Sequence, residues 1–341
     1  MTTPDRAGLV TGIGAGSVVV LMIVVGSQNL RHFDLALLPY AMASIFSAGA
    51  IAYRYTVWLR RPPTWRYWVQ GWRLFSRRPL RHTARLFGAF GDNFAAQRFI
   101  ARRSRGRWLM HAGLSWGSLL AFGITFPLVF GWVHFETPPA DPSMYRMVVL
   151  SVGVSEFPVE SFPATLVFNA LNASAVMVLI GIALAVRRRL TEPGALALQQ
   201  FGNDVLPLLL LFAVATTGLG LTVSARWLRG QSFGFIAVTH MAAVVAMLLY
   251  LPFGKFFHIF QRAAQLGVAV YKHEAARGPQ ASCAACRAPF ASRMQVEDLE
   301  RVLDELEVDV RFGGSLPHYQ HLCPPCRRRL WALTQGRVVG R

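Results

Sequence analysis

Apolar residues fall in six long blocks, roughly Leu9–Gly26, Leu35–Leu59, Trp108–Val133, Ala164–Val186, Asp204–Val223 and Phe233–Phe256. A helix needs about 20 such residues to cross the hydrocarbon core at about 1.5 Å per residue. The pattern therefore predicts an all-α integral membrane protein of about six transmembrane helices. The first block follows Arg6 and is long for a secretory leader, and no small-x-small cleavage site stands out before Ser27. It reads as a retained membrane helix. Charge between the blocks sets the orientation. Residues 60–107 hold thirteen arginines against the single acid Asp92, which places them inside. Residues 134–163 hold Glu136, Asp141, Glu156 and Glu160 against Arg146 alone, which suits the outside. Arg187, Arg188 and Arg189 then close the fourth block on the inside, so both termini are expected in the cytoplasm and the chain in the inner membrane.

Composition narrows the class. The chain is 53% hydrophobic and 15% charged, against about 25% charge in a soluble domain. A net charge of +18 would suggest nucleic acid in a soluble protein. Here the arginines cluster between apolar blocks, which the positive-inside rule explains, and no nucleic-acid partner is expected. The inner segment repeats Trp58, Trp65, Trp68 and Trp72 with Arg60, Arg61, Arg66 and Arg73. Indoles and guanidinium groups suit a headgroup layer, so this reads as a short amphipathic stretch on the membrane; a docking surface for a soluble partner is the alternative.

After Phe260 the sequence turns polar, and a small cytoplasmic domain follows. Its acidic middle, Gln295 to Glu307, places Val296, Leu299, Val302, Leu303 and Leu306 at helical spacing. Two pairs, Cys283–Cys286 and Cys323–Cys326, have thirty-six residues between them. Four thiolates in this arrangement close a tetrahedron around a metal, zinc by default in a structural knuckle and iron in a rubredoxin-like site. None of the cysteines lies in an outward loop, which argues against a disulfide framework. Arg287 and Arg327 stand where such pairs are usually followed by glycine, and His318 and His321 are near enough to replace a cysteine. The expectation is a zinc-ribbon-like domain, stapled by its metal because so short a segment buries little core.

Ionisable groups inside membrane helices are costly and usually functional. Three histidines qualify: His111, His240 and His258. The last two are eighteen residues apart. On one continuous helix that is about five turns, which puts both imidazoles on one side about 27 Å apart. His111 lies just inside the inner end of the third block. Because the third and sixth blocks run antiparallel, His111 and His258 are expected at similar depth near the cytoplasmic face, as bis-histidine haem ligation requires.

At these residues the sequence resembles a family, the gamma subunit of respiratory nitrate reductase and its relatives in heterodisulfide-reductase-type complexes. Leu38-Pro39-Tyr40 with Arg54-Tyr55 and Trp65-Arg66 looks like that family's first helix, and Leu109-Met110-His111 like the start of its second. Gly202-Asn203-Asp204 leading to Gly218-Leu219-Gly220-Leu221-Thr222 resembles its fourth. His240 through Leu251-Pro252-Phe253-Gly254-Lys255-Phe256-Phe257-His258 resembles its last, with the histidine spacing kept. The likeness covers roughly Leu35 to Gln261. It implies haem b at the inner face on His111 and His258, and a second haem at the outer face on His240. Here Ala121 stands where the family has that second haem's other histidine. His134 or His32 is then a substitute ligand, or His240 serves a quinone or a hydrogen bond.

These readings divide the chain into an additional N-terminal helix (1–33), a cytochrome b domain (34–275) and a cysteine domain (276–341). The resemblance implies an electron-transfer subunit of an oxidoreductase complex. Such a subunit passes electrons between the quinone pool and a cytoplasmic iron–sulfur or molybdenum-containing partner. Gly218 and Gly220 read as close-packing positions, as do Gly12, Gly14 and Gly16 in the first block. The rivals are a transporter using His240, Asn169, Asn172 and Asp204 with a zinc-binding tail, or a scaffold that docks through its cysteine domain. The six blocks show no internal repeat, which weakens the transporter reading.

Overall fold

The computed structural model describes residues 5–139, 141–192, 194, 199–308, 310 and 318–339. Along the chain run α1 (Arg6–Gly26), α2 (Leu38–Leu59), α3 (Thr64–Arg77), α4 (Pro79–Phe90), α5 (Arg98–Ala101) and α6 (Arg105–Val129). The strands β1 (Val133–Glu136), β2 (Met144–Val149) and β3 (Val152–Pro158) follow, then α7 (Phe162–Thr191), α8 (Leu206–Trp227), α9 (Phe233–Tyr250) and α10 (His258–Arg277). The chain ends with β4 (Gln280–Ser282), β5 (Pro289–Ser292), α11 (Arg293–Glu305) and α12 (Pro324–Val339). Among the described residues, six helical segments are long and apolar enough to cross a membrane: Arg6–Gly26, Leu35–Leu59, Arg105–Val129, Phe162–Thr191, Phe201–Trp227 and Phe233–Tyr250. They match the six apolar blocks one for one and suggest a multi-pass membrane protein.

The chain forms two compact units, Met1–Thr56 with Gln97–Ile259, and Val57–Ala96 with Phe260–Arg341. This division differs from the expected boundary after residue 275, because the segment that follows α2 folds with the cysteine domain. In the first unit Val178, Ile182, Leu211, Ala215 and Met247 form a core shared by α7, α8 and α9. Helices α6 and α7 approach backbone to backbone. A Cβ on Gly117 would sit 2.8 Å from the Ser174 carbonyl oxygen, and one on Gly181 would sit 2.8 Å from the Leu114 nitrogen. Gly12 serves the same purpose between α1 and α2, where a Cβ would lie 2.9 Å from the Gly49 carbonyl oxygen.

Two features of this unit depart from the sequence reading. The segment between α6 and α7 is a three-stranded antiparallel sheet, ordered β1-β2-β3, with a bulge at Met147/Val148. Leu150 and Ser151 turn β2 into β3 with φ values of 47° and 73°, left-handed positions that turn sequences usually give to Asn or Gly. The second departure is at the last membrane block, where the helix ends at Tyr250 and a new one starts at His258. Pro252 has no N–H, and its ring would collide with the Leu248 carbonyl in a continuous helix. Neighbouring side chains take up the freed carbonyls. Ser47 Oγ donates to Leu248 O at 2.5 Å, and the Arg54 guanidinium donates to Pro252 O while lying 4.6 Å from the Phe257 ring centroid. The premise of one helix carrying both His240 and His258 therefore fails, and the five-turn argument falls with it.

In the second unit the Trp- and Arg-rich segment forms two helices, α3 and α4. α3 meets α10 where Gly71 faces the backbone of Gly267. The rings of Tyr67 and Tyr271 are 4.9 Å apart, and Tyr271 donates its hydroxyl proton to the buried Asp298 carboxylate on α11 at 2.8 Å. Arg66 approaches Asp298 at 4.0 Å and pairs with Glu305. α3 is thus docked on its own chain, with Trp65 and Trp72 left exposed.

Candidate functional site

Three sets of candidate residues can be placed in the structure. The first is the cysteine cluster, built by a knuckle and a helix start. Cys283 follows β4, and its N–H donates to Ala288 O while Arg287 N–H donates to Cys283 O, both at 2.9 Å. Closing that turn puts Arg287 at φ 62°, which explains why glycine is common there. Cys323 precedes α12 and Cys326 lies in its first turn, so the second pair sits on a helix where a zinc ribbon would have a second strand knuckle. The four Sγ atoms lie within 4.8 Å of one another, and Cys286 and Cys323 are 3.7 Å apart. A tetrahedron with Zn–S bonds of about 2.3 Å has edges of about 3.8 Å. The four cysteines can therefore hold a metal ion such as zinc.

Burial opposes ionisation of Cys283, but N–H groups of Cys323, Cys286 and Ala285 outweigh it and bring the thiol down to about 6. Cys323 N–H stands 3.3 Å from that sulfur. Contact with Cys323, then burial and the other two cysteines, pushes Cys326 up to about 12. His318 and His321 do not replace a cysteine; both face Glu300. Arg327, in place of a second glycine, donates to Leu322 O at 2.7 Å and stacks 4.4 Å from the Tyr319 ring centroid.

His111 and His258, the pair singled out by the sequence, each have an acceptor at Nδ1. Nδ1 of His111 is 2.8 Å from Gln97 Oε1, and Nδ1 of His258 is 2.5 Å from the Lys255 carbonyl oxygen. Both partners are acceptors, so each Nδ1 carries the proton and each Nε2 the lone pair. Gln97 is buried, has φ 50° and is fixed by donating to Ser115 Oγ at 2.6 Å. A buried non-glycine residue in the left-handed region marks a position its surroundings over-determine. Nothing in the local sequence singled it out.

The third group surrounds a cavity of about 450 Å³ in the first unit, lined by His240, Asn172, Thr222, Tyr40 and Ala121 among mainly apolar neighbours. No family model matches this sequence, and no match was found among curated proteins or solved structures. The local geometry must therefore carry the reading. His32 and His134 stack on each other with centroids 5.0 Å apart and are not among the residues described as lining the cavity with His240. Asp204 pairs with Lys255 at 2.5 Å, and Asn169 donates to its own helix at Thr165 O. Of the polar groups a transporter would use, His240 and Asn172 alone reach the cavity.

Proposed function

We propose that this chain is a membrane-anchored haem b subunit of the nitrate reductase gamma type, passing electrons between quinol and a soluble oxidoreductase partner. The observation that carries the reading is the pair of Nδ1 hydrogen bonds at His111 and His258. Metal-bound histidines characteristically donate their other ring N–H to a protein oxygen, which fixes the tautomer and aims Nε2. Both histidines fit this requirement, with Gln97 and the Lys255 carbonyl as the orienting acceptors. A bound haem would supply a one-electron carrier without an open iron position. His111 and His258 would hold it, and Gln97 would keep the His111 ring from rotating. The break after Tyr250 supports His258 in this role, because the tight turn at Lys255–Phe257 brings the Lys255 carbonyl, which also accepts the His258 backbone N–H, up to the imidazole.

The proposed partner is an iron–sulfur or molybdenum-containing subunit at the cytoplasmic face of the inner membrane, where both termini would lie. The four cysteines would take zinc as a structural staple for the tail that faces this partner. A broken helix also suits the transporter reading. Here the Leu248 and Pro252 carbonyls at the break are taken by Ser47 and Arg54, which leaves them committed to the protein.

The test is a reduced-minus-oxidised visible spectrum of detergent-purified protein. A low-spin b-type signal is expected, lost in His258→Ala and His111→Ala with membrane insertion retained. Gln97→Leu should weaken haem retention about 10- to 100-fold. A colourless protein expressed with ample haem would reject the reading in favour of a transporter or scaffold.

A further inference from the structure

Helix α4 carries an apolar face that its own domain does not cover. His82 is 2% exposed and its Nε2 stands 4.0 Å from Glu274 of α10, which fixes the inward side of the helix. At about 3.6 residues per turn, Leu80, Ala84 and Phe87 fall on the opposite side. Leu80 and Phe87 are 91% and 73% exposed, and Ala84 between them is exposed as well. An exposed apolar face of this kind marks an interaction site.

Charge beside the face decides what covers it. Arg77 and Arg78 immediately precede α4, and Arg81 lies at the edge of the apolar strip; all three are exposed. Among the described residues none of the three has a carboxylate partner. Apolar side chains rimmed by free guanidinium groups are what a helix lying in a headgroup layer presents, and they complement anionic lipid. An acidic soluble protein would share that charge, but the path of the chain favours lipid. Residues 60–104 join Leu35–Leu59 to Arg105–Val129, two of the segments long enough to span, so α4 is leashed to the bilayer at both ends. The surface-lying role expected of the Trp- and Arg-rich segment therefore falls to α4, since α3 is committed to α10.

We propose that the Leu80–Phe87 face of α4 inserts into the headgroup layer and selects anionic phospholipid, with Arg77, Arg78 and Arg81 on the phosphates. The assignment needs the chain to span a membrane and is independent of the haem reading.

The experiment uses the full-length protein with Phe87→benzoylphenylalanine, a photo-crosslinking side chain of similar character. The protein is placed in nanodiscs holding equal amounts of phosphatidylcholine and phosphatidylglycerol and is irradiated. Mass spectrometry of the α4 peptide should show phospholipid adducts, with phosphatidylglycerol over-represented about fivefold or more, the factor that one arginine near an anionic surface supplies. Arg77→Gln, Arg78→Gln and Arg81→Gln together should bring the two lipids to equal labelling while adducts persist and the protein stays monodisperse. The control is the same probe at Leu306, which is 49% exposed but lies beside Asp304, Glu305 and Glu307; it should label no lipid. A probe at position 87 that labels no lipid would overturn the proposal, as would lipid labelling of equal yield at position 306. Equal labelling of the two lipids before the arginines are replaced, or a preference that survives their replacement, would also overturn it. Adducts confined to a co-purified protein would give the face to a soluble partner instead.

Discussion

Both units bring helices together at glycine, Gly117 and Gly181 in the first and Gly71 and Gly267 in the second, but they treat buried polar atoms differently. In the first unit the buried polar side chains are serines and Gln97, and several of the serines bond to nearby backbone. Ser27 donates to Ile23 O at 2.6 Å, Ser174 to Leu171 O at 2.7 Å and Ser224 to Gln231 O at 2.6 Å. Such bonds suit a segment whose surroundings offer no water, because they are closed within one helix or its connection. In the second unit two buried ionisable groups are met from other elements, Asp298 by Tyr271 and Arg66, and Cys283 by the backbone N–H of Cys323. Those serine bonds carry no charge and should be indifferent to pH, salt and chelators; the charged and thiol groups of the second unit should respond to them.

The largest effect should come from removing metal. Structural zinc contributes on the order of 10 kcal/mol to the folding of a small domain. Cys283→Ser, or a strong chelator, should make β4 to α12 protease-sensitive while the membrane unit keeps its melting temperature. Loss of both together would deny the independence of the two units. Acid should act in the same direction. Burial opposes but backbone N–H groups favour the Cys283 thiolate, whose folded pKa of about 6 lies below the usual thiol value. Its contribution to the metal-free fold is therefore present at higher pH and lost as pH falls through about 6; protons compete with zinc for the same thiolates, so transfer of zinc to a chromogenic chelator should rise along a descending pH series.

Next in size is Gly117→Leu, which forces a side chain into the Ser174 carbonyl and should cost the membrane unit about 3 kcal/mol or more, read as thermal unfolding in detergent with zinc content unchanged. Tyr271→Phe strips Asp298 of its hydroxyl donor. It should destabilise the second unit by about 1–3 kcal/mol, seen as faster hydrogen exchange in α10 and α11 and a greater sensitivity to salt. The smallest effect is expected from Arg287→Gly. Relief of the left-handed strain should stabilise the cysteine knuckle by up to about 1 kcal/mol, with zinc released more slowly.

The sequence determined the six apolar helices, because a span needs only a long run of apolar side chains and no partner. It also determined the four-cysteine cluster, because the CxxC spacing is itself the local geometry of two ligands. It marked His111, His240 and His258 as unusual through the cost of placing imidazole among apolar residues. The tertiary structure decided what those residues meet. Pro252 was visible as a helix breaker, yet whether the chain broke or merely kinked there depended on Ser47 and Arg54, about two hundred residues earlier, taking the freed carbonyls. The sheet between α6 and α7 turns at Leu150 and Ser151, which carry no turn signature, so pairing between strands had to impose it. Gln97 beside His111, the stacking of His32 on His134 and the docking of α3 on α10 have the same origin. Each depends on which surfaces the folded chain brings together, and local residue pattern does not encode that.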